Sequence, residues 1–251
     1  MVDKTKLVSY VYSAQFIFAV VYMNFARFNN RLFMHMTKSI FILLLIPLDL
    51  SLWDWNKRQA QRITASFPAS FRQYLAFGEL CSAIGDQFMI YPNQFFGLFF
   101  GASFFGLAHV FYILAYFPRC SISNKLKWIT SSIIGFTVVL YFYAGLFNWV
   151  KNDILIALGL FGYLSLEMFT IVVFVCTELS PEHCRKCHFV GLIGTLFFFV
   201  SDIILFYHLF RPGYWPLENV SVMITYYLGQ FLIAFSSRQL TCSHGGKKVA
   251  I

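Results

Sequence analysis

Charged side chains stand where an apolar chain should not carry them. Lys38, Asp49, Glu79, Asp86, Glu167 and Asp202 all fall inside long hydrophobic runs, joined by His109 and by the neutral polar residues Ser82, Ser201, Tyr226, Tyr227 and Gln230. An ionisable group at the centre of a membrane-spanning helix costs about 2.5 to 3.5 kcal/mol on insertion scales, so each needs a partner or a function. Asp86 and Asp202 form the pair with the clearest chemistry. Two carboxyl groups close together in a medium of low dielectric cannot both ionise cheaply, so one keeps a proton near neutral pH while the other remains a base. Such a pair can protonate a substrate and then activate water. The structural alternative leaves each carboxylate neutral, or tied to a neighbouring hydroxyl or to Lys38. Asp49, beside Trp53 and Asp54, reads as an interfacial residue. Glu79 and Glu167 read as hydrogen-bonded interior residues ahead of chemistry, and His109 stands between the two readings.

The elements that must hold these residues follow from composition. The chain is 59% hydrophobic and only 12% charged, where a soluble domain carries about 25% charge. It cannot keep a water-facing surface, and the predicted fold is all-α, a single polytopic bundle of transmembrane helices. Spans of sufficient length are expected near 8–23, 35–52, 73–91, 95–117, 128–147, 152–177, 188–209 and 217–237. The runs are continuous, whereas a membrane β-barrel needs alternating segments of about ten residues. The net charge of +8 would suggest nucleic acid in a soluble protein, but here it reports topology, and no nucleic-acid partner is expected. Only Arg27, Arg31, Lys151 and Arg211 fall in loops on one side. All the other lysines and arginines except Lys38 fall on the opposite side, which the positive-inside rule makes cytosolic, together with both termini.

Depth brings the chemistry together. The third and seventh spans both run outward and place Asp86 and Asp202 about 20 Å from the cytosolic boundary at 1.5 Å per residue. His109 comes down the fourth span to a somewhat deeper level, and Lys38 can extend its stem towards the same cavity. Asp86 and Asp202 each follow a small residue and precede a tyrosine by five positions, Tyr91 and Tyr207. This weak echo describes two four-helix halves with a site at their interface.

Other motifs carry less. His183 to His188, HCRKCH, contains a Cys-x-x-Cys-His string, but four ligands within six residues are cramped for a tetrahedral metal, and a cytosolic position does not suit haem attachment. Reduced thiols beside the membrane are the plainer account, and neither a metal site nor a disulfide is predicted. Asn219-Val-Ser221 is a sequon on the expected outer face. The C-terminal KKVAI resembles a dilysine retrieval signal with its lysines one position too far from the end, which points towards the endoplasmic reticulum.

Several of these residues together carry a resemblance. Ser82-x-x-Gly85-Asp86, Gly97-Leu98 with Ala108-His109-x-x-Tyr112, Phe198-x-x-Ser201-Asp202 and Thr225-Tyr226-Tyr227-x-x-Gln230 are similar to the YhhN family. Thr37-Lys38 matches a Lys-Pro position of that family, with Ser39 where proline is usual. The resemblance implies an eight-span lysoplasmalogenase that needs no cofactor. Its substrate would be a membrane 1-alkenyl lysophospholipid with a choline or ethanolamine headgroup, cleaved at the vinyl ether bond to a fatty aldehyde and the glycerophospho product. On that reading Asp86, Asp202 and His109 are catalytic, and Lys38 meets the lipid phosphate. Tyr112, Ser82, Ser201, Tyr226, Tyr227 and Gln230 then line the substrate site.

Three rivals use the same residues. A proton-coupled transporter or lipid carrier would employ the buried carboxylates as a relay. A seven-span receptor fits badly with eight spans and both termini inside. An intramembrane aspartyl protease also pairs two aspartates, but Ala83 stands where its Gly-x-Gly-Asp pattern needs glycine, and no Pro-Ala-Leu follows Asp202.

Overall fold

The computed structural model describes residues 42, 43, 45, 69–91, 95–120, 124–177, 185–211 and 218–237. Six helices account for almost all of them: α1 (Ala69–Phe88), α2 (Phe95–Tyr116), α3 (Lys125–Val150), α4 (Ile154–Cys176), α5 (Arg185–Phe210) and α6 (Glu218–Ser237). These helices overlie the expected spans from 73–91 onward. The two spans expected before them lie outside the described residues apart from Ile42, Leu43 and Leu45, as do Lys38, Asp49 and the C-terminal KKVAI. Among the described residues the chain is an all-helical bundle, without a strand beyond the isolated antiparallel bridge between Cys120 and Thr177. That bridge sets the ends of α2 and α4 side by side, so these two helices run in the same direction.

Local chemistry fixes the ends. Asp153 caps α4 by accepting from the amides of Leu155 and Ile156 at 3.0 and 3.1 Å, and Asn124 accepts from Lys127 at the start of α3. Both caps satisfy amides that have no partner within the helix. Pro118 lies in a 3-10 turn, Phe117–Arg119, that closes α2, since proline has no amide hydrogen to continue an α-helix.

Among the described residues, four helices, α2, α3, α4 and the His188–Phe210 part of α5, are long and apolar enough to cross a membrane. Large apolar side chains such as Phe96, Ile133, Ile134 and Tyr141 project outward at 61–72% exposure, the surface a bilayer solvates. The polar residues turn inward. On α1, Glu79, Ser82 and Asp86 recur at three- and four-residue steps on one buried face, whereas Phe77 and Leu80 point away. This amphipathicity is reversed relative to a soluble helix, and it is why α1 reads as less apolar than its neighbours. Arg72, expected in a cytosolic loop, falls instead in the first turn of α1 and is buried.

The tightest helix pairs are α1 with α2 and α5 with α6. In the second pair, glycine faces glycine. A methyl added to Gly194 would stand 2.9 Å from the carbonyl oxygen of Gly229 and 2.8 Å from the amide of Ile233. Small residues at a membrane-helix interface allow such backbone approach. It brings Ser201 close enough to donate to the carbonyl of Val222 on α6, at 3.1 Å.

Candidate active site

Five of the six helices contribute one polar face each to the centre of the bundle. α1 brings Asp86, and α2 brings His109 and Tyr112. α4 adds Tyr163, Glu167 and Thr170, α5 adds Ser201 and Asp202, and α6 adds Tyr226, Tyr227 and Gln230. All are buried, most at 1% exposure or less. α3 packs on the outside and adds nothing to this face.

Asp86 and Asp202 are held in similar ways. Tyr226 donates its hydroxyl to Asp86 at 2.9 Å, and Tyr163 donates to Asp202. Each phenol comes from a helix other than that of its aspartate, so each bond ties two helices together at the depth of the carboxylate. Tyr112 donates to the side-chain oxygen of Gln230 at 2.8 Å. Its ring occupies the space of an absent side chain, because a methyl on Gly78 of α1 would overlap it.

His109, Glu167 and Asp202 converge most closely. One nitrogen or oxygen from each lies within 4.8 Å of the others. His109 Nε2 is 3.8 Å from Glu167 Oε1, and its Nδ1 lies 3.3 Å from the hydroxyl of Thr170. The imidazole is fixed by aromatic contacts to Phe198 at 4.9 Å and to Tyr112 and Tyr163 at 6.0 Å. Phe198 in turn meets Tyr226 at 5.4 Å, so the residue that holds Asp86 packs on the wall of the trio. Among the described residues, His109 Nε2, both oxygens of Glu167, the amide nitrogen of Gln230 and the hydroxyl of Ser82 accept or donate no hydrogen bond. Buried polar atoms are ordinarily satisfied, so these mark where water or a substrate would find partners.

Chemically, the arrangement places two carboxyl groups and an imidazole in one dry site, lined by phenols that steady negative charge. The same three donors could also ligate a divalent ion. The sequence reading set Glu167 aside as an interior hydrogen-bonding residue, whereas the structure puts it beside Asp202 and His109. Tyr163 and Thr170 were missed. The available signal was their spacing from Glu167, four before and three after, which places all three on one helical face.

Two curated proteins are similar to the chain. The human lysoplasmalogenase TMEM86A is 24% identical over 189 residues, covering 74% of this chain and 73% of its own. A lysoplasmalogenase homolog of Dictyostelium discoideum is 25% identical over 208 residues, covering 67% of this chain and 64% of its own. No solved structure matches the chain. The YhhN family model matches residues 33–237, a range that takes in Asp86, His109, Glu167 and Asp202 alike. This multi-pass membrane protein belongs to the YhhN family.

Proposed function

We propose that the chain is a lysoplasmalogenase, a hydrolase that cleaves the vinyl ether bond of 1-alkenyl lysophospholipids with choline or ethanolamine headgroups. The observation that carries the reading is the buried convergence of Glu167, Asp202 and His109 in a chain whose relatives bear that name.

A vinyl ether hydrolyses by proton transfer to carbon. The carbon–hydrogen bond forms as the double-bond electrons move, leaving an oxocarbenium ion. Water adds to that cation, and the resulting hemiacetal collapses to a fatty aldehyde and the glycerophospho alcohol. Protonation at carbon calls for a Brønsted acid, and a carboxylic acid held out of water supplies one. Glu167 and Asp202 come within 4.8 Å of each other, so the two carboxyl groups do not both ionise cheaply and one keeps its proton. One delivers it, and the other, as carboxylate, steadies the cation and then takes a proton from the attacking water. The two behave as a unit, so acid and base are not assigned to individual residues. His109 lies against both and orients them. Tyr163 keeps Asp202 aimed, and Asp86 with Tyr226 provides a third carboxyl group on the neighbouring wall. Lys38 is the proposed phosphate partner, as a compact cation.

The test is aldehyde release from a 1-alkenyl lysophospholipid by the detergent-purified protein, with a 1-acyl lysolipid as control. Aldehyde from the alkenyl substrate alone is the expected result. A well-folded protein that forms none would turn the same carboxylates into a proton relay of a transporter.

A further inference from the structure

On the outer surface of the bundle, α2, α4 and α5 diverge around a cavity of about 350 Å³. This lies within the roughly 300 to 1,000 Å³ of small-ligand pockets. Phe99 and Leu155, 54% and 68% exposed, stand at its mouth. Tyr163 and Phe206, both buried, form its inner wall. Tyr163 is the residue whose hydroxyl is held by Asp202, so the cavity reaches the candidate active site from its apolar side. Among the described residues, the one other polar side chain on the wall, Ser103, spends its hydroxyl on the carbonyl of Phe99 at 2.7 Å. What remains is a hydrocarbon surface.

Glycines keep the cavity open. Gly159 and Gly162 stand one turn apart on α4 and line it. A methyl added to either would meet no described residue within 4 Å. Glycine is the least favourable helix residue after proline, and in membrane helices it ordinarily serves close packing, as at Gly194 and Gly229. Here it faces a space that no described residue fills.

We propose that this groove holds the hydrocarbon chain of a single-chain lipid substrate, entering sideways from the bilayer with its reactive end at Tyr163 and Asp202. The identity of that reactive end rests on the hydrolase reading above, whereas the groove itself needs only a chain. Gly159 and Gly162 then determine the chain length accepted.

The experiment uses the full-length protein in detergent and a lysophospholipid carrying a photoreactive diazirine in its alkyl chain, with labelled peptides mapped by mass spectrometry. Label is expected on residues 95–106 and 155–166, and Gly162→Leu should reduce it about tenfold. In parallel, the ratio of kcat/KM for a long-chain over a short-chain 1-alkenyl lysolipid should fall about tenfold in Gly162→Leu, the scale of discrimination an apolar pocket provides. Gly159→Leu repeats the test should the first variant fail to fold. Label spread over other helices, or an unaltered ratio in folded plugged variants, overturns the groove. Wild-type protein that labels in the groove but forms no aldehyde removes the hydrolase reading and leaves the groove standing. Aldehyde formed with label elsewhere does the reverse.

Discussion

Replacing Glu167 by glutamine removes the proton-carrying capacity of one member of the trio while keeping its shape. Glu167 is 1% exposed, and its Oε1 faces His109 Nε2 across 3.8 Å. The glutamine oxygen can occupy the same place, so packing is preserved. Two accounts of this residue predict different magnitudes. As a partner in proton transfer, its loss should cost turnover about 10² to 10⁴, equivalent to roughly 2.7 to 5.4 kcal/mol of transition-state stabilisation. As an interior hydrogen-bonding residue, its loss should cost about 1 kcal/mol of folding stability and leave the turnover of the folded protein close to wild type. Aldehyde release under single-turnover conditions separates the chemical step from product release, and thermal unfolding in the same detergent reports whether the variant is folded. A folded Glu167→Gln protein within about tenfold of wild type would remove Glu167 from the proton transfer.

Asp202→Asn should lose about two or more orders of magnitude in turnover while remaining folded, and near-wild-type release would take Asp202 out of the chemistry. Treatment with a strong chelator should leave aldehyde release unchanged; a loss restored by added divalent ion would instead make His109, Glu167 and Asp202 a metal centre. Tyr112→Phe removes the hydroxyl that donates to Gln230 at 2.8 Å and should cost about 1 to 3 kcal/mol, read as a lowered Tm. An unchanged Tm would contradict a structural role for that bond. Gly194→Val forces a side chain against the Gly229 carbonyl and should destabilise the α5–α6 pair by about 3 kcal/mol, read as a lowered midpoint of thermal unfolding. A variant as stable as wild type would refute the close backbone contact.

How much of this was legible in the sequence depended on whether the signal was local. Asp86 and Asp202 stand out because a carboxyl in an apolar run is costly wherever the helix ends up. The helices themselves follow from run length, and their starts shift by a few residues to the polar caps, outward from 128 to Lys125 after Asn124 and inward from 152 to Ile154 after Asp153. Partnership was not legible. Glu167 looked like any interior glutamate until the rotation of α4 against α2 and α5 aimed it at His109. Tyr163 looked like any membrane tyrosine until it met Asp202. Gly159 and Gly162 carried a misleading signal, since glycine in such a helix usually marks close packing and here marks an open groove. The Lys38 assignment lies outside the described residues.

A ribosome hands α1 to the bilayer long before α6 exists. Tyr226, which secures Asp86, lies 140 residues further along the chain, and at about 5 to 20 residues per second that separation is roughly 7 to 28 s of synthesis. During this interval α1 carries its acidic face in a setting where each such group is costly, so its place in the membrane is provisional. α6 is therefore also the latch. A chain interrupted before α6 would hold Asp86 without its phenol and Asp202 on a helix lacking its glycine-packed neighbour. Such a fragment would offer cellular quality control two acidic helices that the complete protein conceals.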